Sequence, residues 1–219
     1  MPFGPTITKK IRNMLKRMLF CSIALLGLVS CGGKKTDEGG ETPVQEAAWV
    51  QFAPEELDFN PFQTIGKDWM ALAMGKGEKL NSMTISWGSA GVLWNKPVFT
   101  VFVSRDRYSK GLMDESRYFT VMAFPQNSHN HDGLLYIGSH SGRDEADKTA
   151  AAGFHVEYSE LGNPLFKEAD LAFECRIIYK EEFKKELMPQ NVREMYSNMG
   201  LHTMYVGEIV NVFTRTPQE

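Results

Sequence analysis

The sequence predicts a mainly β fold with inserted helices, of the α+β class, closed into an antiparallel barrel. The first observation is that seven short runs rich in β-branched and aromatic residues follow one another at close spacing. The second is that only four helical runs occur, each inserted between strands. This combination is typical of a closed antiparallel barrel with helical excursions. The predicted strands are 69–75, 80–87, 97–104, 118–124, 155–158, 171–181 and 203–214, and the predicted helices are 110–116, 133–139, 146–152 and 189–198.

The first two strands are joined by a glycine-rich turn. The run 69–75 leads through this turn into the strand 80–87. Ser82, Thr84 and Ser86 are two residues apart in that second strand. Because side chains of a strand alternate between its faces, all three are expected on one face, which can donate hydrogen bonds.

The third strand ends in a group of charged and hydroxyl residues. The stretch 88–95, rich in Gly and Ser, is predicted as a loop that leads into the strand 97–104. Arg105 and Arg107 then follow, just before the helix 110–116. Guanidinium groups and the amides of a helix N-terminus both match the charge and geometry of a phosphate, so this corner is predicted to bind one.

The second half of the chain supplies the remaining strands and helices. The polar stretch before Gly133 is predicted as a loop, with the helix 133–139 beginning after it. Gly200 is predicted as the C-terminal cap of the helix 189–198. Cys175 lies in an apolar strand and is predicted to be a buried, inert thiol rather than part of a disulfide framework.

The beginning of the chain predicts an export signal. Residues 1–30 contain five cations, no acidic residue and the apolar run 18–29, which is too short for an ordinary transmembrane helix. Cys31 follows this run and precedes two glycines, which resembles the bacterial lipoprotein signal, where the cysteine becomes the lipidated first residue. We therefore expect a protein held at the cell envelope by lipid only. The predicted organisation is a signal at 1–30, a flexible polar tether at 31–48 and one folded domain at 49–219.

The charge of the exported part argues against a nucleic-acid partner. Loss of the five cations of residues 1–30 leaves 19 of the 24 basic residues against 27 acidic ones, a formal charge of −8. A nucleic-acid-binding domain is expected to be basic on at least one face.

Five motifs, in this order along the chain, resemble the flavin reductase-like, FMN-binding split-barrel family, nearest to its flavoredoxin-type members. No single motif is specific, and the order carries the resemblance. The motifs are NSMTISW at 81–87, KPV at 96–98, RDRYS at 105–109, SGRDEADK at 141–148 and HTMYVGE at 202–208.

The resemblance implies a split β-barrel that binds FMN. Backbone groups near Met83 would reach the polar edge of the flavin ring, while Thr84 and Ser86 would lie nearer the ribityl phosphate. Arg105, Arg107 and Ser109 would hold the phosphate. The complete set of cofactor-binding residues that it implies is Asn81, Met83, Thr84, Ser86, Arg105, Arg107, Tyr108, Ser109, Ser141, Gly142, Arg143 and Lys148.

The same resemblance implies an activity and partners. The chain would be an FMN-dependent oxidoreductase, either a flavin reductase or a flavoredoxin-type electron carrier. Its partners would be NAD(P)H or a protein electron donor and a second copy of the chain in a homodimer. Hydride or electron transfer is the work of the flavin, so no catalytic acid or base is required. The alternative is a barrel that binds another ligand without redox turnover.

Other sites were weighed against this one. His129 and His131 with Asp132 invite a metal site, but two histidines two residues apart without an HExxH or CxxC motif favour a polar loop. No metal is expected. The chain contains neither the GxSxG motif of serine hydrolases nor the spacing of a P-loop. Trp87 and Trp94 are interpreted as structural residues or dimer contacts.

Overall fold

A computed structural model of the chain describes residues 48–215. The predicted signal, Cys31 and all but the last residue of the predicted tether lie outside this range. The ten strands are β1 (Trp49–Phe52), β2 (Met70–Met74), β3 (Asn81–Ile85), β4 (Gly88–Leu93), β5 (Lys96–Ser104), β6 (Tyr118–Ala123), β7 (Val156–Tyr158), β8 (Pro164–Phe166), β9 (Leu171–Glu182) and β10 (His202–Arg215). The α-helices are α1 (Pro61–Gln63), α2 (Ser109–Glu115), α3 (Ser128–Ser139), α4 (Lys148–Ala151) and α5 (Gln190–Met195).

Eight strands form one antiparallel sheet, in agreement with the predicted mainly β fold. The strand order is β3-β2-β6-β9-β10-β5-β4, with β1 paired to the C-terminal part of β10, and β7 and β8 form a separate hairpin. Strands β3 and β4 stand at opposite ends of this order, yet only Ser86 and Trp87 separate them along the chain. The sheet must therefore curl until its two ends meet, which makes the barrel.

Both faces of the strand β2 are buried, which explains its continuous apolar sequence. Met70, Leu72 and Met74 contribute to the core inside the barrel, whereas Ala71 and Ala73 contribute to a second core outside it. Alternation of side chains along a strand produces this division. The second core contains Leu134 and other residues of α3, so this helix packs on the outer face of the sheet.

Three strands and the start of α3 were not predicted. β4 was predicted as a loop because its small residues carry little β propensity, but it pairs with β5 through a two-residue turn at Trp94 and Asn95, both at positive φ. The helix α3 begins at Ser128, five residues before the predicted start. The Asn127 side chain accepts the Asn130 N–H and caps it, and the first turns look like a loop because they are mostly exposed. β1 and β8 are short runs that the sequence did not distinguish from loops.

The predicted cap at Gly200 is wrong. The helix α5 ends at Met195, and Gly200 lies beyond it, close to Asp106.

Cys175 is buried and free, as predicted, and burial raises the pKa of its thiol well above the usual value. Within residues 48–215 no helix is both long and apolar enough to span a bilayer.

Candidate functional site

Two cations converge on the C-terminal end of α3. Arg107 Nη1 donates a hydrogen bond to the Gly138 carbonyl at 2.8 Å. Lys148 Nζ donates to the carbonyls of His140 at 2.9 Å and Ile137 at 3.2 Å. The last carbonyls of a helix have no partner within the helix and carry partial negative charge, so they favour these cations.

Lys148 is an unusual charged residue because it is only 3% exposed. Burial, strengthened by the neighbouring Arg107 charge, lowers the pKa of Lys148 to about 8, while Glu145 acts in the opposite direction. Within residues 48–215 neither Arg107 nor Lys148 forms an ion pair with a carboxylate. Two adjacent cations, neither of them ion-paired with a carboxylate in this part of the chain, are suited to an anion.

The hydroxyl face of β3 packs against the helices that carry these carbonyls. Ser82 Oγ lies 2.8 Å from Thr149 Oγ1, and Thr84 Oγ1 donates to the Leu134 carbonyl. The sequence placed these hydroxyls correctly on one face, and the structure shows that two of them are bonded to α3 and α4. Ser86, beyond the end of β3, is exposed.

A second group joins β3 to the start of α2. Asn81 Nδ2 donates to Ser109 Oγ at 2.8 Å, and both residues are buried. Gly142 lies directly against this pair: a Cβ atom there would collide with Asn81 Oδ1 and lie 3.1 Å from the Tyr108 ring. The absence of a side chain at residue 142 therefore lets the loop after α3 close over Asn81. Asn81, Tyr108, Ser109 and Gly142, all predicted site residues, are therefore joined into one group by these contacts.

Aromatic residues pack around His202, whose ring is close enough to Arg107 to feel its charge. The His202 ring lies 5.1 Å from the Trp87 ring, and its Nδ1 atom is 3.1 Å from the Tyr196 hydroxyl. Burial and the Arg107 charge lower the pKa of His202, while Asp106 acts to raise it. We call Trp87, Tyr196 and His202 the aromatic wall. Tyr196 was not predicted as part of the site, and Trp87 was set aside, because no local pattern connects residues so distant in sequence.

The remaining predicted site residues differ in burial and in whether their side chains have partners. The side chain of Met83 is buried in the barrel core, so its backbone alone is available to a ligand. Arg105 and Arg143 are exposed, and no side-chain hydrogen bond or ion pair holds either of them within the described part of the chain. Ser141 Oγ accepts the Arg143 N–H at 3.2 Å and shapes the loop after α3.

His131 and Glu208 contact residues outside the candidate site. His131 stacks on Trp69 with ring centroids 5.2 Å apart, and no cluster of three or more His, Cys, Asp or Glu able to hold a metal occurs in residues 48–215. Glu208 is paired with Lys96 and Arg176, each at 2.6 Å. These contacts tie β5, β9 and β10 together.

Comparisons with known proteins agree with this architecture. The family described as flavin reductase like domain matches residues 70–219. A flavoredoxin structure from Methanosarcina acetivorans is 28% identical over 68% of each chain, with a TM-score of 0.53. An FMN-binding domain of a flavin reductases-like enzyme from Shewanella baltica is 13% identical over 78% of this chain and 79% of that chain, with a TM-score of 0.56.

A third similar structure is named for a different activity. It is an NADH:FAD oxidoreductase from Streptomyces globisporus, 19% identical over 68% of this chain and 75% of that chain, with a TM-score of 0.51. No curated protein matches the chain. The second and third likenesses show the split-barrel fold alone, whereas the family match spans well over half of the sequence. The chain therefore belongs to the flavin reductase like domain family of flavin-binding redox proteins.

Proposed function

We propose that the chain binds FMN non-covalently at the site between α3 and the aromatic wall and acts as a flavoredoxin-type electron carrier of the bacterial cell envelope. One observation carries the proposal: Arg107 and Lys148 converge on one helix end without a carboxylate partner among the described residues. A phosphate dianion would supply the missing negative charge. The likeness to a flavoredoxin supports the electron-carrier role.

The residues present fit FMN. The Arg107 guanidinium, which uses only Nη1 in its bond to the Gly138 carbonyl, would hold the phosphate, with Arg105, Ser141 and Arg143 at its exposed margin. Lys148 is buried and donates to two carbonyls, so it would add positive charge beside Arg107, with one N–H donor left for the phosphate. Asn81, Thr84 and Ser109 already have partners, so they would shape the pocket rather than supply free donors. The ring would lie between the backbone of β3 near Met83 and the aromatic wall.

The flavin, when bound, supplies hydride or electron transfer. The chain's own residues would bind it, orient it and set the charge around it. FMN is proposed rather than FAD because FMN-binding proteins are among the similar structures, and paired titrations with FMN and FAD will test this preference.

We propose an electron relay rather than turnover of NAD(P)H, because NAD(P)H is scarce outside the cytoplasm, where the predicted signal directs the protein. The Streptomyces likeness keeps an NADH reaction as the competing expectation. Stopped-flow mixing of the flavin-loaded chain with NADH decides between them. Slow, non-saturable loss of flavin absorbance is the expected result, and rapid, saturable bleaching would replace the relay with an NADH-consuming enzyme.

The affinity for FMN is expected to fall as the pH rises through about 8. Lys148 has a folded-state pKa of about 8, below its ordinary value of 10.5, so it loses its charge between pH 7 and 9 while the FMN phosphate remains a dianion. The same shift makes the folded chain more stable as the pH rises from about 8 to 10.5, because the unfolded chain binds more protons in that range. A rise in pH therefore weakens FMN binding through Lys148 but increases the stability of the fold.

The measurement is a fluorescence titration at several pH values between 7 and 9. Riboflavin, which lacks the phosphate, is the matched control and is expected to show no such dependence. Equal pH dependence for FMN and riboflavin would show that Lys148 does not interact with the phosphate.

We also propose that the chain forms a homodimer through β4 and its neighbours. Val92 and Trp94 are 78% and 62% exposed, and they line a shallow groove with Tyr179. An exposed apolar patch of this kind marks an interaction surface. The FMN sites of the two subunits would lie near this dimer interface.

A charged residue in this groove is expected to separate the subunits. Val92→Glu should shift the chain from dimer to monomer in sedimentation velocity. Leu187→Glu, at a residue that is equally exposed but not part of the groove, is the matched control. A wild-type chain that sediments as a monomer at high concentration would contradict the proposal.

The lipid anchor at Cys31 is the last part of the proposal. Cys31→Ser is expected to abolish incorporation of labelled palmitate and to move the protein from the membrane to the soluble fraction. Cys21→Ser lies inside the apolar run and serves as the control. Unchanged labelling of Cys31→Ser would remove the anchor from this residue.

A further inference from the structure

Three hydrogen bonds fasten the end of β5 to the residues that precede β10. Arg105 N donates to the Leu201 carbonyl at 2.9 Å, and Ser104 Oγ donates to the Gly200 carbonyl at 3.2 Å. The third bond runs from Gly200 N to Asp106 Oδ2 at 2.5 Å. We call these three bonds the clasp. The Asp106 bond is the one that involves a charge, and charge-assisted hydrogen bonds are the stronger kind.

The clasp requires glycine at residue 200. Gly200 is buried, and a Cβ atom there would lie 2.5 Å from Asp106 Cγ and 2.6 Å from Oδ1. Real Cβ atoms do not approach other atoms so closely. Any side chain at residue 200 would therefore push the Asp106 carboxylate away from the backbone.

The clasp connects the two sides of the flavin site. The ladder between β5 and β10 ends where His202 pairs with Ser104. Beyond that point, Arg107 continues from one strand, and the segment that carries Tyr196 leads into the other. His202 is held by the Tyr196 hydroxyl and lies against Trp87. The Asp106 bond thus joins the segment that contains Arg107 to the segment between Tyr196 and His202, two residues of the aromatic wall.

We infer that Asp106 is a positioning residue: its carboxylate, by accepting the Gly200 N–H, holds the aromatic wall at a fixed place relative to Arg107. This accounts for an acidic residue between two arginines of a site for an anion. The inference rests on the proposed function for its flavin readout, but the structural part can be tested without flavin.

The sign of the effect on FMN affinity separates positioning from simple repulsion. If Asp106 acted only as a negative charge near the phosphate, Asp106→Ala would bind FMN more tightly than the wild type. Positioning predicts the opposite, a loss of about tenfold for Asp106→Ala, the effect of one hydrogen bond to a charged group. Asp106→Asn keeps an acceptor and loses the charge, so it should bind at least as tightly as the wild type.

Gly200→Ala provides an independent variant because it keeps the charge and displaces the carboxylate. It is expected to lose FMN affinity by a factor similar to that of Asp106→Ala, while Asp132→Ala, at an exposed carboxylate on α3, should change nothing. Affinities at or above the wild-type value in both Asp106→Ala and Gly200→Ala would overturn the inference.

NMR of the flavin-free full chain gives the second readout. The ring signals of His202 are expected to shift further in Asp106→Ala and in Gly200→Ala than in Asp106→Asn, which removes the charge and keeps the acceptor, and to stay in place in Asp132→Ala. Unchanged signals in both clasp variants would overturn the inference. If the wild type fails to bind FMN, the proposed function fails, and this comparison still decides the role of Asp106.

Discussion

Replacement of Arg107 by alanine is expected to raise the dissociation constant for FMN by about 10- to 150-fold. A hydrogen bond to a charged group contributes about 1.5 to 3 kcal/mol, and each 1.4 kcal/mol is a factor of ten in affinity. Arg107 is held at the end of α3 by the Gly138 carbonyl, so it meets the phosphate already oriented. Among residues 48–215 no hydrogen bond holds the Arg105 side chain in this way, so Arg105→Ala should cost less. The double variant should lose at least as much affinity as Arg107→Ala.

The comparison with riboflavin makes this prediction specific. Riboflavin lacks the phosphate, so Arg107→Ala should leave its affinity nearly unchanged. Arg117→Ala removes another exposed guanidinium at the far end of α2 and should affect neither ligand. If Arg107→Ala weakens FMN and riboflavin by the same factor, Arg107 acts through the loop after α3. If it weakens neither, the phosphate lies elsewhere.

Replacement of Phe173 by alanine is expected to lower the free energy of unfolding by about 3 to 5 kcal/mol, the range for deletion of a buried aromatic ring. Phe173 is 2% exposed and lies inside the barrel, with its ring centroid 5.2 Å from that of Phe59 and 5.1 Å from that of Phe99. The lost free energy has two parts: the favourable burial of the ring atoms, which is no longer gained, and the cost of the cavity that remains. Met83 belongs to the same core, so the strand beside the proposed flavin is expected to loosen as well.

Urea denaturation of the full chain measures this change, with Phe62→Ala as the matched control. Phe62 is 87% exposed, and its replacement should change the free energy of unfolding by no more than about 0.5 kcal/mol. Equal effects of the two substitutions would show that Phe173 does not lie in the core.

Most of the strands that the sequence predicted have apolar residues on at least one buried face. β2, β5, β6, β9 and β10 were all predicted to within a few residues because their apolar patterns are strong. β4 lacked this signal, because it lies at the edge of the sheet and consists largely of small residues. Its pairing depends on the turn at Trp94 and Asn95, where both residues adopt positive φ, and the sequence did not reveal this.

The candidate site shows the same division. Arg107 and Lys148 could be singled out in the sequence because each lies in a motif of charged and hydroxyl residues. Their meeting at the end of α3 could not, since it depends on where the helix ends and on how α3 packs against β3. The aromatic wall also arises from packing alone: the curl of the sheet brings Trp87, between β3 and β4, to His202 at the start of β10.

The central claim is that this barrel holds one FMN per chain. The most direct measurement is a titration of the purified full chain with FMN, followed by flavin absorbance and fluorescence quenching. The predicted result is a saturable change at a stoichiometry near one, with a flavin spectrum altered by the protein. A colourless chain that leaves FMN fluorescence unquenched at every concentration would contradict the claim and favour a barrel that binds another ligand.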